Sequence, residues 1–187
     1  NQVFAKDIIL SLCGTYGMDM AGYQALEFAG SAIATLSMRE RMTLCNMSAE
    51  LGAQAGLIAP DVNTFNWLAK RAPDIKPVDN QALKDWHSDT GSHNGRYFSL
   101  NLENLEPQAA SPHSPANAAA ISAHEVTTFN VAYIGACTGA KLDDLRAAAA
   151  ILNGKEIASN LSLLVAPASR AEQQQATEEG VMAIFES

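Results

Sequence analysis

Apolar positions recur at helical spacing, then at strand spacing, in an order that suggests alternating helices and strands. Residues 6–12 read as the body of a helix that closes near Gly14. The stretch from Tyr23 to Gly30 reads as a short strand. Ser37-Met38-Arg39-Glu40 has the form of a capping box, in which the serine hydroxyl caps a backbone N–H and the glutamate reaches back. The helix it opens is expected to run to about Ala55. A short apolar strand from Gly56 is ended by Pro60, and a helix from about Thr64 to Arg71 stops before Pro73.

From about Pro73 to Ala123 no apolar period is sustained. The strand candidate there is Arg96 to Leu102, rich in aromatic and β-favouring residues. Pro107, Pro112 and Pro115 then mark an extended connection. After it the pattern sharpens. Val131 to Ala136 is an apolar run and reads as a buried strand. Leu142, Leu145, Ala149 and Leu152 share one helical stripe, with Gly154 as its stop. Leu161 to Ala168 reads as a second buried strand. Ser169-Arg170-Ala171-Glu172 is another capping box, opening a helix towards Phe185. A β-α-β-α order implies a parallel sheet covered by helices, hence an α/β fold of layered sheet units. The expected division is residues 1–115 and 116–187.

Composition narrows the function. The chain has 187 residues, 48% of them hydrophobic, enough for one large or two small domains. Twelve basic against twenty acidic residues give a formal net charge of -8. That argues against nucleic acid as a partner, since no basic excess is present to replace phosphate counterions. No run of eighteen apolar residues suggests a membrane span, and the first residues do not read as a signal peptide. Three widely spaced cysteines, Cys13, Cys45 and Cys137, do not form a disulfide framework and fit a reducing, cytoplasmic setting.

Candidate chemistry concentrates at two places. Cys137 sits between a strand and a helix, flanked by Gly135 and Gly139, at the carboxyl edge where open α/β sheets bind ligands. A helix N-terminus there would favour thiolate, and a thiolate can bind a metal. The plain alternative is an inert cysteine in a strand-to-helix turn, which position alone makes equally frequent. GACTGAK departs from a phosphate-binding loop in its glycine spacing, and GxGxxG is absent. Asn46 and Glu50 are four residues apart on the predicted helix and so share a face. An amide and a carboxylate there could bind a hydroxyl group or a metal-bound water. The plain alternative, a solvated face, is the more frequent from spacing alone, but the neighbours Met42, Cys45, Met47 and Leu51 oppose it.

EFAGSAIATLSMRERMTLCNMSAELGAQAGLIAPD, AYIGACTGAKLDDLRAAAAILNGKEI and LLVAPAS resemble, in this order, consecutive segments of the aconitase superfamily, especially its 3-isopropylmalate dehydratase large-subunit branch. CNMSAE and the strand-Cys-Thr-helix segment are the specific parts. The resemblance implies a hydro-lyase with a [4Fe–4S] cluster held by three cysteines, acting on a hydroxy di- or tricarboxylic acid, and a small swivel subunit or domain as partner. It implies that Cys137, with Thr138 beside it, binds the cluster and that Asn46 and Glu50 form the active-site pair. Cys13 and Cys45 match no cluster position and are taken as structural. Residues 1–115 would be the family's second domain, opening at Lys6-Asp7-Ile8-Ile9, and 116–187 the first part of the cluster-binding domain.

Two departures are visible. The family's Cys-Thr-Asn is here Cys137-Thr138-Gly139. The downstream CxxC and the upstream histidine-bearing segments of the family are not found between Asn1 and Ser187, and His87, His93, His113 and His124 lie in the irregular middle. The chain is thus expected to be an internal piece, aconitase-like in part of its fold, that alone holds no stable cluster and is inactive. The alternative from another class is a free-standing α/β module that binds a small anion at the helix after Cys137, or a structural module.

Overall fold

The computed structural model describes residues 3–72, 74, 85–89, 91–92, 95–124 and 127–186. The chain separates into two compact units, Asn1–His124 and Glu125–Ser187.

In the first unit, helix α1 spans Ala5–Tyr16. Ala5, Ile8, Ile9, Leu12 and Cys13 are its buried face, a spacing that places them on one stripe. Asp7 is buried beside them. Its carboxylate accepts from the Phe4 N–H at 2.7 Å and from the Gln108 N–H at 2.8 Å, tying the start of α1 to strand β3 (Gln108–Ala110). Lys6-Asp7-Ile8-Ile9, read from the sequence only as a segment opening, therefore contains a structural staple.

Strand β1 (Ala25–Glu27) pairs in parallel with β2 (Ala55–Leu57), Leu26 opposite Gly56. Between them lie helices α2 (Ser31–Thr35) and α3 (Met38–Met47). The Ser37–Glu40 box is formed in both directions, at 3.3 and 3.0 Å. Helix α3 does not reach Ala55. It stops at Met47 and tightens into a 3-10 turn over Ser48–Leu51. The Ser48 hydroxyl donates to the Cys45 carbonyl at 2.7 Å, and Gly52, at φ +73°, reverses the chain into β2.

Helix α4 spans Val62–Arg71, starting earlier than expected because Asp61 caps the Asn63 and Thr64 N–H groups. Ile9, Leu44 and Leu51 are fully buried at the centre of this unit, with Leu26, Phe28, Ile33 and Ile58 against them.

Arg96 to Leu102, expected as a strand, forms no strand and joins no ladder among the described residues. Phe98, Leu100 and Leu102 still pack on the core at alternate positions. Alternation reports which side is buried, not whether a hydrogen-bonding neighbour exists. Strand β4 (Ala118–Ala120) runs antiparallel to β3, Ala109 opposite Ala119, and packs against α1. Residues 116–124 therefore belong with the first unit, past the expected division at 115/116.

The second unit contains the expected β-α-β-α order. Strand β5 (Val131–Gly135) pairs in parallel with β6 (Ser162–Ala166), Tyr133 opposite Leu164. Helix α5 is the single turn Ala136–Gly139, α6 spans Leu142–Leu152, α7 Arg170–Glu178 and α8 Val181–Glu186. Ala140, Leu142, Leu145, Ala149, Ala176 and Val181 form the core, with Ile134 and Val165 on its strand side.

Two expectations change here. The strands are buried on one face only, since Val131, Tyr133 and Leu164 are more than half exposed. Uniformly apolar runs do not say how many faces are covered. The last helix is broken between Glu178 and Val181, where Gly180 takes φ +76°.

Candidate functional site

Each unit carries one part of the predicted chemistry, and each part is described by itself.

In the second unit, the cysteine-bearing turn leaves the carboxyl end of β5. Gly135 is extended, and a Cβ on it would run into the ring of Tyr133, so this backbone must stay bare for the ring to lie across it. Ala136 follows at φ +69°, left-handed backbone that non-glycine residues rarely adopt. The chain thereby turns sharply just before Cys137, which is exposed, and Thr138, which is half-buried.

Ala136→Gly exchanges local strain for greater freedom of the unfolded chain, two terms of about 1 kcal/mol each, and should leave stability nearly unchanged. Ala136→Val adds a branched Cβ to the same conformation and should cost about 1–2 kcal/mol. Urea unfolding of both variants checks the pair, and equal midpoints would contradict it.

The helix expected to begin at Cys137 is two elements. The long one, α6, begins only at Leu142, and its first donors are engaged. The Lys141 N–H donates to Asp144 Oδ2 at 3.0 Å and the Leu142 N–H to Glu172 Oε2 at 2.7 Å. Two carboxylates thus already occupy this helix mouth, which weighs against the alternative of a small-anion site there. Glu172 was legible as the second member of a capping box. Ser169 Oγ does accept its N–H at 3.2 Å, but its carboxylate crosses to Leu142 instead. No spacing in the sequence signals a bond across thirty residues.

In the first unit, Asn46 lies at the end of α3 and is exposed, whereas Glu50 lies in the 3-10 turn and is half-buried. The two are not on one continuous α-helix, so the shared face implied by i, i+4 spacing does not carry over unchanged. Met47 and Leu51 are buried as expected of a closed surround, Cys45 is half-buried, and Met42 is exposed.

The main chain at Glu50 is well fixed. Its carbonyl accepts from Cys13 Sγ at 3.7 Å, Leu51 behind it is fully buried, and Gly52 could carry no side chain without meeting the Met18 carbonyl at 2.7 Å. Burial first, and the negative charge of Glu50 second, push the Cys13 thiol above its ordinary value. Burial does the same to Cys45. Both therefore remain protonated thiols at neutral pH, in keeping with structural rather than metal-binding use.

An iron–sulfur cluster needs several thiolates. The second unit has one cysteine, Cys137, and among the described residues no three His, Cys, Asp or Glu side chains gather as a metal site. The residues present thus fit one corner of a cluster. Among the histidines, His124 bridges Ser111 and the Ala109 carbonyl, and His87 contacts the Pro60 carbonyl; both serve local structure. The loop letters SDTGSHNG include His93, which lies outside the described residues. No described helix is long and apolar enough to cross a membrane.

Comparison with known proteins places these segments. The model of the aconitase family (aconitate hydratase) matches residues 1–130 and 123–187. The chain is 38% identical over 184 residues to 3-isopropylmalate dehydratase large subunit 1 of Archaeoglobus fulgidus. It is 39% identical to the 3-isopropylmalate dehydratase large subunit of Heliobacterium modesticaldum. Each match covers 98% of this chain and 42% of the relative. The methanogen homoaconitase large subunit of Methanocaldococcus jannaschii is 37% identical over 187 residues, covering 98% of this chain and 44% of that protein. The chain thus spans less than half the length of the curated relatives it matches, and with its α/β units and the family match along its whole length it belongs to the aconitase family.

Proposed function

We propose that this chain is part of a [4Fe–4S]-dependent hydro-lyase that removes water from, and returns it to, a hydroxy di- or tricarboxylic acid, with 3-isopropylmalate as the leading substrate. The observation that carries this reading is the exposed Cys137 at the carboxyl end of a parallel strand, just past the left-handed Ala136, in a family member. The names of the relatives above supply the substrate class. The homoaconitase relative makes a tricarboxylic acid the second substrate to try.

Cys137 would hold one iron of the cluster, with Thr138 beside it. When bound, such a cluster supplies a Lewis acid to the substrate. Glu50 would hold or move a proton at the substrate's hydroxyl oxygen, a role suited to a half-buried carboxylate on a fixed main chain. The Asn46 amide would orient the same oxygen by hydrogen bonding. In this reading the first unit, residues 1–124, corresponds to the family's second domain and the second unit, from Glu125, to the start of the cluster-binding domain. The relatives are named large subunits, which supports a small subunit as partner. The free thiols of the first unit, Cys13 buried and Cys45 half-buried, support a reducing, cytoplasmic setting.

The test uses the full-length protein with its small subunit, reconstituted anaerobically with iron and sulfide. It should take up one cluster per chain and dehydrate 3-isopropylmalate. Residues 1–187 alone, with one thiolate to offer, should take up no stable cluster and show no turnover. A full-length protein that gains no cluster absorbance overturns the reading. So does a 1–187 chain that turns over by itself, since its own residues would then suffice.

A further inference from the structure

The turn that carries Cys137 is held from outside by a residue with no assigned role. Glu172 lies in the first turn of α7, and its Oε2 accepts the Leu142 N–H at 2.7 Å. Leu142 opens α6 and is fully buried, as is Ala140 just before it. The Ala168 N–H donates to the Ala140 carbonyl at 2.9 Å, and Ser169 Oγ caps Glu172 itself. The segment Ala136–Leu142 is thus anchored at both ends. At one end it leaves β5 through the left-handed Ala136. At the other, the loop after β6 and the start of α7 grip it through Ala168 and Glu172.

We propose that Glu172 is a positioning residue for Cys137: its bond to Leu142 fixes the end of the turn, so that the sulfur is offered to iron in one orientation. The proposal rests on the reading of Cys137 as a cluster ligand. A charged acceptor at an otherwise unpaired helix N–H is stronger and more directional than a neutral one. It also spans the two β-α connections of the parallel pair, which a local cap cannot do. Metal ligands depend on such supporting contacts, and losing one commonly weakens metal holding by about 10- to 100-fold.

The experiment compares wild type, Glu172→Gln, Glu172→Asp and Glu172→Ala in the full-length protein with its small subunit, each reconstituted anaerobically. Three quantities are measured: the EPR spectrum of the reduced cluster, the rate of iron loss to a chelator, and the melting temperature. Glu172→Gln keeps an oxygen acceptor at the same reach without the charge and should lose iron at a rate between those of wild type and Glu172→Ala. Glu172→Ala should lose iron about tenfold faster and show an altered spectrum at a temperature where it is fully folded. If the alanine variant does not fold, Glu172→Asp decides, because a shorter carboxylate should change the spectrum in the same direction. A folded Glu172→Ala or Glu172→Asp variant with the wild-type spectrum and loss rate overturns the proposal. A wild-type protein that takes up no cluster overturns the reading of the site, and this proposal with it.

Discussion

Asp61→Asn should destabilise the first unit by about 3 kcal/mol, the cost of leaving a buried charge without its partner. The Arg41 side chain is 3% exposed and that of Asp61 32%, so most of the penalty falls on the arginine. Its guanidinium meets the carboxylate along two parallel bonds, Nη1 to Oδ1 at 2.8 Å and Nη2 to Oδ2 at 2.7 Å. Nε and Nη2 also donate to the Leu36 and Ala34 carbonyls, at 3.1 and 3.3 Å. One side chain thus joins the end of α2, the start of α3 and the cap of α4.

Asparagine is chosen because it remains a good N-cap, so the variant isolates the charge. Asp61→Ala loses the cap as well and should cost about 1 kcal/mol more. Urea unfolding at pH 7 gives both numbers, and a loss below 1 kcal/mol for asparagine would show that Arg41 finds another partner.

The same pair sets a pH dependence. Hydrogen bonding from Arg41, more than any other cause, holds the Asp61 carboxyl below its ordinary value of 3.8. A carboxylate with a lowered folded pKa stabilises fully above its unfolded value. That contribution is lost as pH falls through the lower, folded one. The gap between wild type and Asp61→Asn should therefore be constant near neutrality and narrow below about pH 4. A gap that stays constant on acidification would contradict the ion pair as its source.

Much of this was legible in the sequence for a simple reason. Capping boxes, helical stripes and apolar runs report local backbone preference, and Ser37–Glu40, Leu142–Ala149 and the two parallel strands of the second unit each have one. What escaped was set by distant residues. The Asp61–Arg41 pair joins positions twenty apart, the Asp7–Gln108 bond 101 and the Glu172–Leu142 bond thirty. Nothing in the local pattern at either end signals these. The end of α3 was misread for the opposite reason. Apolar periodicity continues past Met47 into Leu51, while the Ser48 hydroxyl and Gly52 redirect the backbone beneath it. Cys137 was located correctly at a strand-to-helix turn, but the sequence showed one helix where the left-handed Ala136 and the buried Ala140 make a separate turn before α6.

The altered end of α3 bears directly on Glu50, where the largest kinetic effect is expected. Under the function proposed above, Glu50→Gln in the full-length protein should lower kcat by about 10²- to 10⁴-fold, the usual contribution of a positioned acid or base. The amide has the shape of the carboxylate and can still form hydrogen bonds, but it cannot hold and release a proton at neutral pH. The turn itself should survive. It is held by the Ser48–Cys45 bond, by buried Leu51 and by the Gly52 N–H to Ala49 carbonyl bond at 3.0 Å, none of which uses the Glu50 carboxylate. Cluster absorbance and melting temperature should therefore match wild type.

A second readout, independent of turnover, comes from Cys13. Removing the Glu50 charge takes away the lesser of the two influences that raise its thiol, so its pKa should fall yet stay above the ordinary value, because burial is the larger. If kcat falls while Cys13 shifts in this way, the carboxylate is in place and acts on the substrate. If Cys13 shifts and kcat does not, Glu50 is a surface charge of the turn, and the proton must be moved by a residue elsewhere in the enzyme.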